Sequence, residues 1–148
     1  MRYKKFITFE GGEGSGKSTQ IKLLANKIAK TSSVCLTREP GGTASAEEIR
    51  KLLVRGSADK WSSVSELLLL FAARKDHIDK LILPALNSNK WVLCDRFIDS
   101  TYVYQGMCGK TSLDTIEKIE NIVIGQFKPE LTFLINIDPK IGIQRSKR

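Results

Sequence analysis

The chain has few of the residues that build metal centres or disulfide frameworks. Its 148 residues include three cysteines and one histidine, and they contain no Cys-x-x-Cys, so a Cys/His metal site is not expected. Cys35, Cys94 and Cys108 lie far apart and are odd in number, which favours reduced thiols and a cytoplasmic protein. Cys35 and Cys94 fall within or beside predicted strands and are expected to behave as small buried apolar residues.

Long hydrophobic runs are also missing. The longest, residues 67–73, is far shorter than the ~20 residues that cross a membrane. The basic start of the chain has no small-residue cleavage pattern and leads directly into a predicted strand, so no signal peptide is expected. There is no repeat and no low-complexity stretch. The remaining composition, 41% hydrophobic and 27% charged, is that of an ordinary globular domain.

The net charge of +8 favours anionic partners. Lysine and arginine are scattered along the chain, mostly interleaved with acids, and no run of five basic residues occurs. This distribution favours nucleotides and other small phosphates over nucleic acid.

The most informative segment is residues 11–19, Gly-Gly-Glu-Gly-Ser-Gly-Lys-Ser-Thr, which follows the apolar run 6–9. It matches the phosphate-loop pattern G-x-x-x-x-G-K-[ST], in which glycines let backbone N–H groups converge on an anion. Lys17 is expected to reach the β- and γ-phosphates of a nucleotide, and the Ser18 hydroxyl to bind Mg²⁺. The alternative is a glycine-rich turn with a chance lysine. It is disfavoured because the strand, loop and helix signals agree.

Apolar runs alternate with helical patterns along the whole chain. Strands are predicted at 5–10, 34–37, 91–94 and 131–137, and helices at 17–29, 46–54, 64–87, 113–124 and 140–148. This alternation predicts an α/β fold with a parallel sheet and right-handed crossovers. Pro84 is expected to kink the long helix or to end a segment. The last helical pattern has no stop signal, so residues 1–148 are expected to be one truncated domain.

Charged residues follow the predicted strands at the sheet edge where open α/β folds bind ligands. The second strand leads into Arg38, the third into Asp95 and Arg96, and the fourth into Asp138-Pro139. Two arginines beside a phosphate loop indicate an anion site rather than solvated side chains. Asp95 is interpreted as a carboxylate near Mg²⁺ or its waters. A helix N-cap or a partner for Arg96 remain the alternatives.

The long helix carries an arginine on its apolar face. Arg74 lies three residues after Phe71 on a face that includes Leu67, Leu70, Ile78, Leu81, Ile82 and Ala85. A buried guanidinium requires an anion, and its fork matches a phosphate. An aromatic ring one turn away could stack on a base. The alternatives are that Arg74 snorkels to the rim or pairs with a nearby acid. His77 is interpreted as structural or exposed, and the hydroxyl-rich loop 99–106 as a weak base-binding signal.

Together these segments resemble the thymidylate kinases of the bacterial type over essentially the whole chain. The resemblance rests on Phe9-Glu10-Gly11, Thr37-Arg38-Glu39-Pro40-Gly41-Gly42-Thr43, Glu48-Ile49-Arg50, Leu70-Phe71-Ala72-Ala73-Arg74, Asp95-Arg96-Phe97 with Ser100, and Tyr104-Gln105-Gly106. It implies a three-layer P-loop nucleoside-monophosphate-kinase fold that phosphorylates dTMP to dTDP with ATP and Mg²⁺, for dTTP synthesis. It also implies a cytoplasmic homodimer that packs partly through the long helix.

The same resemblance implies roles for individual residues. ATP would be held by Gly11, Gly12, Glu13, Gly14, Ser15, Gly16, Lys17, Ser18 and Thr19, and the metal by Ser18 and Asp95. The catalytic set would be Lys17, Arg96, Asp95 and Glu13, with Glu13 near the sugar 3′-hydroxyl or a metal-bound water. On the acceptor side, Phe71 would stack on thymine, and Arg74 and Arg96 would clamp the phosphate. The rest of that pocket would comprise Glu39, Arg50, Ser100, Thr101, Tyr104 and Gln105.

Two departures from the family pattern have consequences. Some relatives place the stacking Phe four residues before the arginine, where this chain has Leu70, so Leu70 is expected to lie partly against the base. The phosphate loop lacks an arginine, which implies catalytic arginines in a lid that starts near Arg145 and Arg148. The alternatives are another P-loop nucleotide or nucleoside kinase, and a nucleotide-binding module without catalysis.

Overall fold

One parallel sheet forms the centre of the computed structural model, which describes residues 2–57 and 59–146. Its strands are β1 (Arg2–Glu10), β2 (Val34–Arg38), β3 (Trp91–Asp95) and β4 (Lys128–Leu134), in the order β2-β3-β1-β4. The predicted parallel α/β fold is thereby confirmed. The fourth strand begins and ends three residues earlier than predicted. It begins earlier because residues 128 and 129 pair with the start of β1, and it ends earlier because β1 ends at Glu10, the partner of Leu134.

Seven α-helices are assigned in the described part of the chain, and two π-helical turns lie among them. The helices are α1 (Lys17–Ile28), α2 (Ala44–Val54), α3 (Ser63–His77), α4 (Leu83–Asn87), α5 (Ile98–Thr101), α6 (Leu113–Val123) and α7 (Pro139–Ser146). Hydroxyl side chains cap α2, α3 and α6, where Thr43, Ser62 and Ser112 accept bonds from backbone N–H groups three residues on.

The long helix changes its winding before the proline. A π-helical turn (Ile78–Ile82) separates α3 from α4, and the Leu83 N–H donates to the Ile78 carbonyl five residues back. Pro84, which has no N–H to donate, then lies in the first turn of α4. The expectation that a segment boundary falls at Pro84 is confirmed.

The stretch interpreted as the loop 99–106 is helical, so that prediction was wrong. Helix α5 continues into a second π-helical turn (Tyr102–Met107). The β-branched and tyrosine-rich sequence has low helix propensity, but tertiary contacts anchor its start. Glu10 accepts hydrogen bonds from the Phe97 N–H and the Ser100 hydroxyl at 2.8 and 2.6 Å.

Three apolar clusters form the core of the domain. On one face of the sheet, Ile7, Phe9 and Leu93 pack against Ile21 and Ala25 of α1. On the other face, a larger cluster joins the strands to the π-helical turn 78–82 and to the segment after α6, through Phe6, Val92, Cys94, Phe97, Ile78, Ile82, Ile124 and Phe127. Leu67, Phe71 and Ile116 form the third cluster, between α3 and α6.

Cys94 is buried and Cys35 is half-buried, both in strands as expected. In the part of the chain that the structure describes, no helix has the length and apolar character needed to cross a membrane.

Candidate active site

A cavity of about 820 Å³ opens at the carboxyl ends of the strands. The phosphate loop, the segments after β2 and β3, and one side of α3 line it. It brings together most of the residues predicted from the sequence: Glu13, Gly14, Ser15, Gly16, Lys17, Ser18, Thr19, Glu39, Arg50, Arg74, Asp95, Arg96, Ser100, Thr101, Tyr104 and Gln105. Gly11, Gly12 and Phe71 lie outside this lining. Leu70 and Arg145, for which the sequence also predicted a place near the site, line the cavity too, and Val54 joins them without having been predicted; Arg148 lies outside the described residues.

The phosphate loop has the backbone form that its sequence predicts. Gly14 and Gly16 have positive φ values of 67° and 95°, and a Cβ on Gly14 would overlap the Gly142 carbonyl. The Lys17 ammonium donates to the carbonyl oxygens of Gly11 and Gly12, both at 2.9 Å, which leaves one N–H free to meet an anion. Burial, reinforced by the positive charge of Arg96, lowers the pKa of Lys17, and a bound phosphate would favour the charged form again.

Asp95 and Ser18 offer oxygen atoms beside the loop. The Ser18 hydroxyl donates to Asp95 Oδ2 at 3.3 Å, while Asp95 Oδ1 is buried and has no hydrogen-bond partner in the described residues. Helix α5 is capped at Phe97 and Arg96 pairs with Glu13, so neither alternative interpretation of Asp95 is realised. A buried carboxylate oxygen and a nearby hydroxyl suit Mg²⁺, which prefers oxygen ligands.

Arg96 lines the cavity with a side chain that is 16% exposed. Its backbone has φ = 69°, which is sparsely populated for a residue with a side chain and is typical of functional turns. Its guanidinium bonds Glu13 at 2.7 Å, and also the hydroxyls of Ser100 at 3.2 Å and Tyr104 at 3.4 Å. Because the Glu13 side chain is 75% exposed, this ion pair is weak and an incoming anion can replace it.

Arg74 is held in a buried network instead. Its side chain is 3% exposed and Nε donates to Glu39 Oε2 at 2.7 Å. Nη2 donates to the Phe97 carbonyl and the Thr101 hydroxyl at 3.3 and 3.0 Å. Nη1 is buried with no hydrogen-bond partner in the described residues. Of the predicted alternatives for Arg74, pairing with a nearby acid is confirmed. Its Nη1 group is fixed in place but unsatisfied, and Arg74 lines the cavity.

His77 also belongs to this buried network. It is fully buried, with Nδ1 3.1 Å from Glu39 Oε1 and Nε2 2.6 Å from the Thr37 hydroxyl. The structural interpretation of His77 is confirmed and the exposed one was wrong. Gly42 packs against the His77 ring and has φ = 93°. A Cβ at this position would overlap His77 Nε2.

Phe71 does not reach the cavity. It is 1% exposed, packs with Leu67 and Ile116, and lies under the Arg74 guanidinium at 5.1 Å. Both Leu70 and Phe71 lie about one turn before Arg74, but Leu70 lines the cavity whereas Phe71 is buried in the core. The structure contradicts stacking of Phe71 on a base and places Leu70 on the cavity wall.

Two residues shape the site without having been predicted. Glu10 is buried at the end of β1, and burial raises its pKa despite the bonds from Ser100 and Phe97. Through these two bonds Glu10 holds the turn that carries Arg96. The sequence feature that could have identified it is a carboxylate at the end of an apolar strand. Glu66 accepts a bond from Gln105 Nε2 at 2.8 Å. Elsewhere in the lining, Arg50 donates to the Pro40 carbonyl at 2.8 Å.

Comparisons with known proteins agree with this geometry. A family model described as thymidylate kinase matches residues 9–148. A thymidylate kinase of Bradyrhizobium sp. (strain ORS 278) is 49% identical over 96% of this chain, and one of Caulobacter vibrioides is 50% identical over 96%. The chain spans 63% and 69% of their respective lengths. The crystal structure of thymidylate kinase from Ehrlichia chaffeensis superposes with a TM-score of 0.83 at 43% identity, covering 96% of this chain and 81% of that one.

Proposed function

The chain belongs to the thymidylate kinase family, and we propose that it transfers the terminal phosphoryl group of ATP to dTMP, giving dTDP. One observation carries this proposal. A phosphate loop and several further arginines, Arg74 and Arg96 among them, line the same cavity, so the site can hold two phosphorylated ligands side by side. A kinase that joins two nucleotides needs this arrangement, because both substrates are anions that must be brought into line.

On the donor side, Lys17 and the loop N–H groups would bind the phosphates of ATP. Ser18 and Asp95 would hold Mg²⁺, which supplies positive charge against the phosphate oxygens. The unsatisfied Asp95 Oδ1 supports this assignment, as does the 3.3 Å bond from the Ser18 hydroxyl to Asp95 Oδ2. Glu13 and Thr19 also line the cavity.

On the acceptor side, Arg96 would supply most of the attraction for the phosphate of dTMP. Its present partner, Glu13, is exposed and replaceable, whereas the charge of Arg74 is already compensated by buried Glu39. Arg74 would contribute the fixed Nη1 donor rather than net charge. The acceptor oxygen is itself anionic, so transfer requires alignment and charge neutralisation and no strong general base.

We further propose a cytoplasmic homodimer that packs through α3. Val64 and Leu68 on this helix are 49% and 52% exposed, which supports a covered surface in the assembled protein. The free cysteines are consistent with a reducing compartment. Sedimentation of the purified chain tests the dimer, and replacing Leu68 by Glu should shift it to monomer.

The test of function is turnover with ATP, Mg²⁺ and each of dTMP, dUMP, dCMP and dGMP. We expect dTDP formation with dTMP as the preferred acceptor, and its loss in Lys17→Ala with dTMP binding retained. Preference for another monophosphate would identify a different P-loop kinase.

The second candidate function is nucleotide binding without transfer. It is favoured by the lack of an arginine in the phosphate loop, since such a group stabilises the charge of the transition state. Calorimetric binding of ATP and dTMP with no product formed would support it.

A further inference from the structure

Glu66 contacts the cavity wall although it does not line the cavity. It lies on α3, and its Oε1 accepts a hydrogen bond from Gln105 Nε2 at 2.8 Å. Gln105, in the π-helical turn after α5, does line the cavity. The backbone of Gln105 is also held, because its carbonyl accepts a bond from the Thr111 N–H at 3.1 Å. Glu66 has no part in the phosphate chemistry described above.

The chemistry of this contact determines which way the amide points. A glutamine amide has a donor end and an acceptor end, and its two orientations are otherwise hard to tell apart. A carboxylate only accepts hydrogen bonds, so Nε2 must face Glu66. Oε1 therefore points away from Glu66 and is left for a ligand, together with the second N–H of Nε2. An acceptor-only partner thus turns an ambiguous side chain into a fixed acceptor.

Helical spacing places this acceptor beside the other groups on the same wall. Glu66, Leu70 and Arg74 follow each other at intervals of four residues, so they share one side of α3. Leu70 and Arg74 both line the cavity. A planar ligand against this wall would meet the apolar surface of Leu70 and a fixed acceptor from Gln105.

We propose that Glu66 is a specificity-determining positioning residue that acts through Gln105. With Oε1 toward the ligand, the site accepts a pyrimidine that carries an N–H at ring position 3, such as thymine or uracil. Cytosine has a lone pair at that position, so two acceptors would face each other without a proton between them. This inference rests on the proposed function, because it assumes that the base of the acceptor monophosphate reaches Gln105.

Glu66→Gln tests the proposal with the smallest change in shape. A glutamine can accept or donate, so the Gln105 amide loses its enforced orientation. Calorimetric titration of the wild-type chain is expected to show dTMP binding at least about tenfold more tightly than dCMP. In Glu66→Gln this ratio should fall by about threefold or more, with ATP affinity unchanged. Glu117→Gln, at an exposed position on α6, is the charge-matched control and should keep the wild-type ratio.

A swapped pair separates orientation from simple packing. In Glu66→Gln combined with Gln105→Glu, the net charge is the same as in the wild type. The new glutamine can donate to the new carboxylate, whose other oxygen restores an acceptor toward the ligand. We expect the dTMP-to-dCMP ratio to recover in this double variant. A purely structural contact would give no such recovery.

The outcomes are distinct. An unchanged ratio in Glu66→Gln overturns the proposal, as does an equal loss of affinity for dTMP, dCMP and ATP. Failure of the double variant to regain selectivity overturns it as well. If the wild-type chain binds ATP but not dTMP, the proposed function falls and the inference falls with it. If dTMP binds and only the variants fail to respond, the proposed function stands without this role for Glu66.

Discussion

Replacing Arg74 should lower the free energy of unfolding more than replacing any other arginine that lines the cavity. In Arg74→Ala, the Glu39 carboxylate, which is 3% exposed in the wild type, loses the one arginine or lysine that pairs with it among the described residues. The Phe97 carbonyl and the Thr101 hydroxyl lose a donor at the same time. Removing one partner of a buried ion pair lowers the free energy of unfolding by about 3–5 kcal/mol, because the remaining charge stays buried without a counter-charge.

That cost is large against the about 5–15 kcal/mol that stabilises a typical domain. Urea denaturation followed by tryptophan fluorescence measures it, at equal protein concentration for each variant because a dimer would make stability concentration-dependent. The double variant Glu39→Leu with Arg74→Met removes both charges and should be more stable than Arg74→Ala. An Arg74→Ala protein with the wild-type urea midpoint would refute the buried network as the role of this residue.

Three further predictions use the same structure. Arg96→Ala should lose about tenfold or more in dTMP affinity by calorimetry, while its free energy of unfolding changes by less than about 1 kcal/mol, because its ion-pair partner Glu13 is 75% exposed; wild-type affinity would remove Arg96 from the acceptor site. His77→Asn, which can still donate to Glu39, should be more stable than His77→Leu in urea denaturation, and equal stability would contradict the network. The folded-state pKa of Glu10 is raised above its ordinary 4.5, so the native state binds the extra proton and the contribution of this group to stability falls as pH rises through that pKa. Glu10→Gln should flatten the part of the pH–stability profile that lies above the ordinary pKa of 4.5, and an unchanged slope there would contradict the raised pKa of Glu10.

The parallel sheet and the phosphate loop were predictable because local and global signals coincide there. Residues 6–19 encode an apolar strand, a glycine turn and a helix start in one segment, so no distant contact is needed to interpret them. The convergence of Arg38, Asp95 and Arg96 at one edge followed from strand direction alone.

The sequence was a poorer guide wherever tertiary contacts decide the outcome. Helix α5 and its π-helical turn depend on Glu10, a residue 90 positions from Ser100, and low helix propensity concealed them. The anion that balances Arg74 is Glu39, 35 residues away, and spacing on one helix does not reveal such a partner. A shift of one position between Leu70 and Phe71 decides which side chain lines the cavity, and periodicity resolves a helix face only to about that width.

The central claim is that one cavity binds two phosphorylated nucleotides at the same time. Titrating dTMP into the chain saturated with a non-hydrolysable ATP analogue and Mg²⁺ tests it directly. We predict a full equivalent of dTMP bound, with an affinity no weaker than without the analogue. Competition, in which the analogue displaces dTMP or abolishes its binding, would contradict the account.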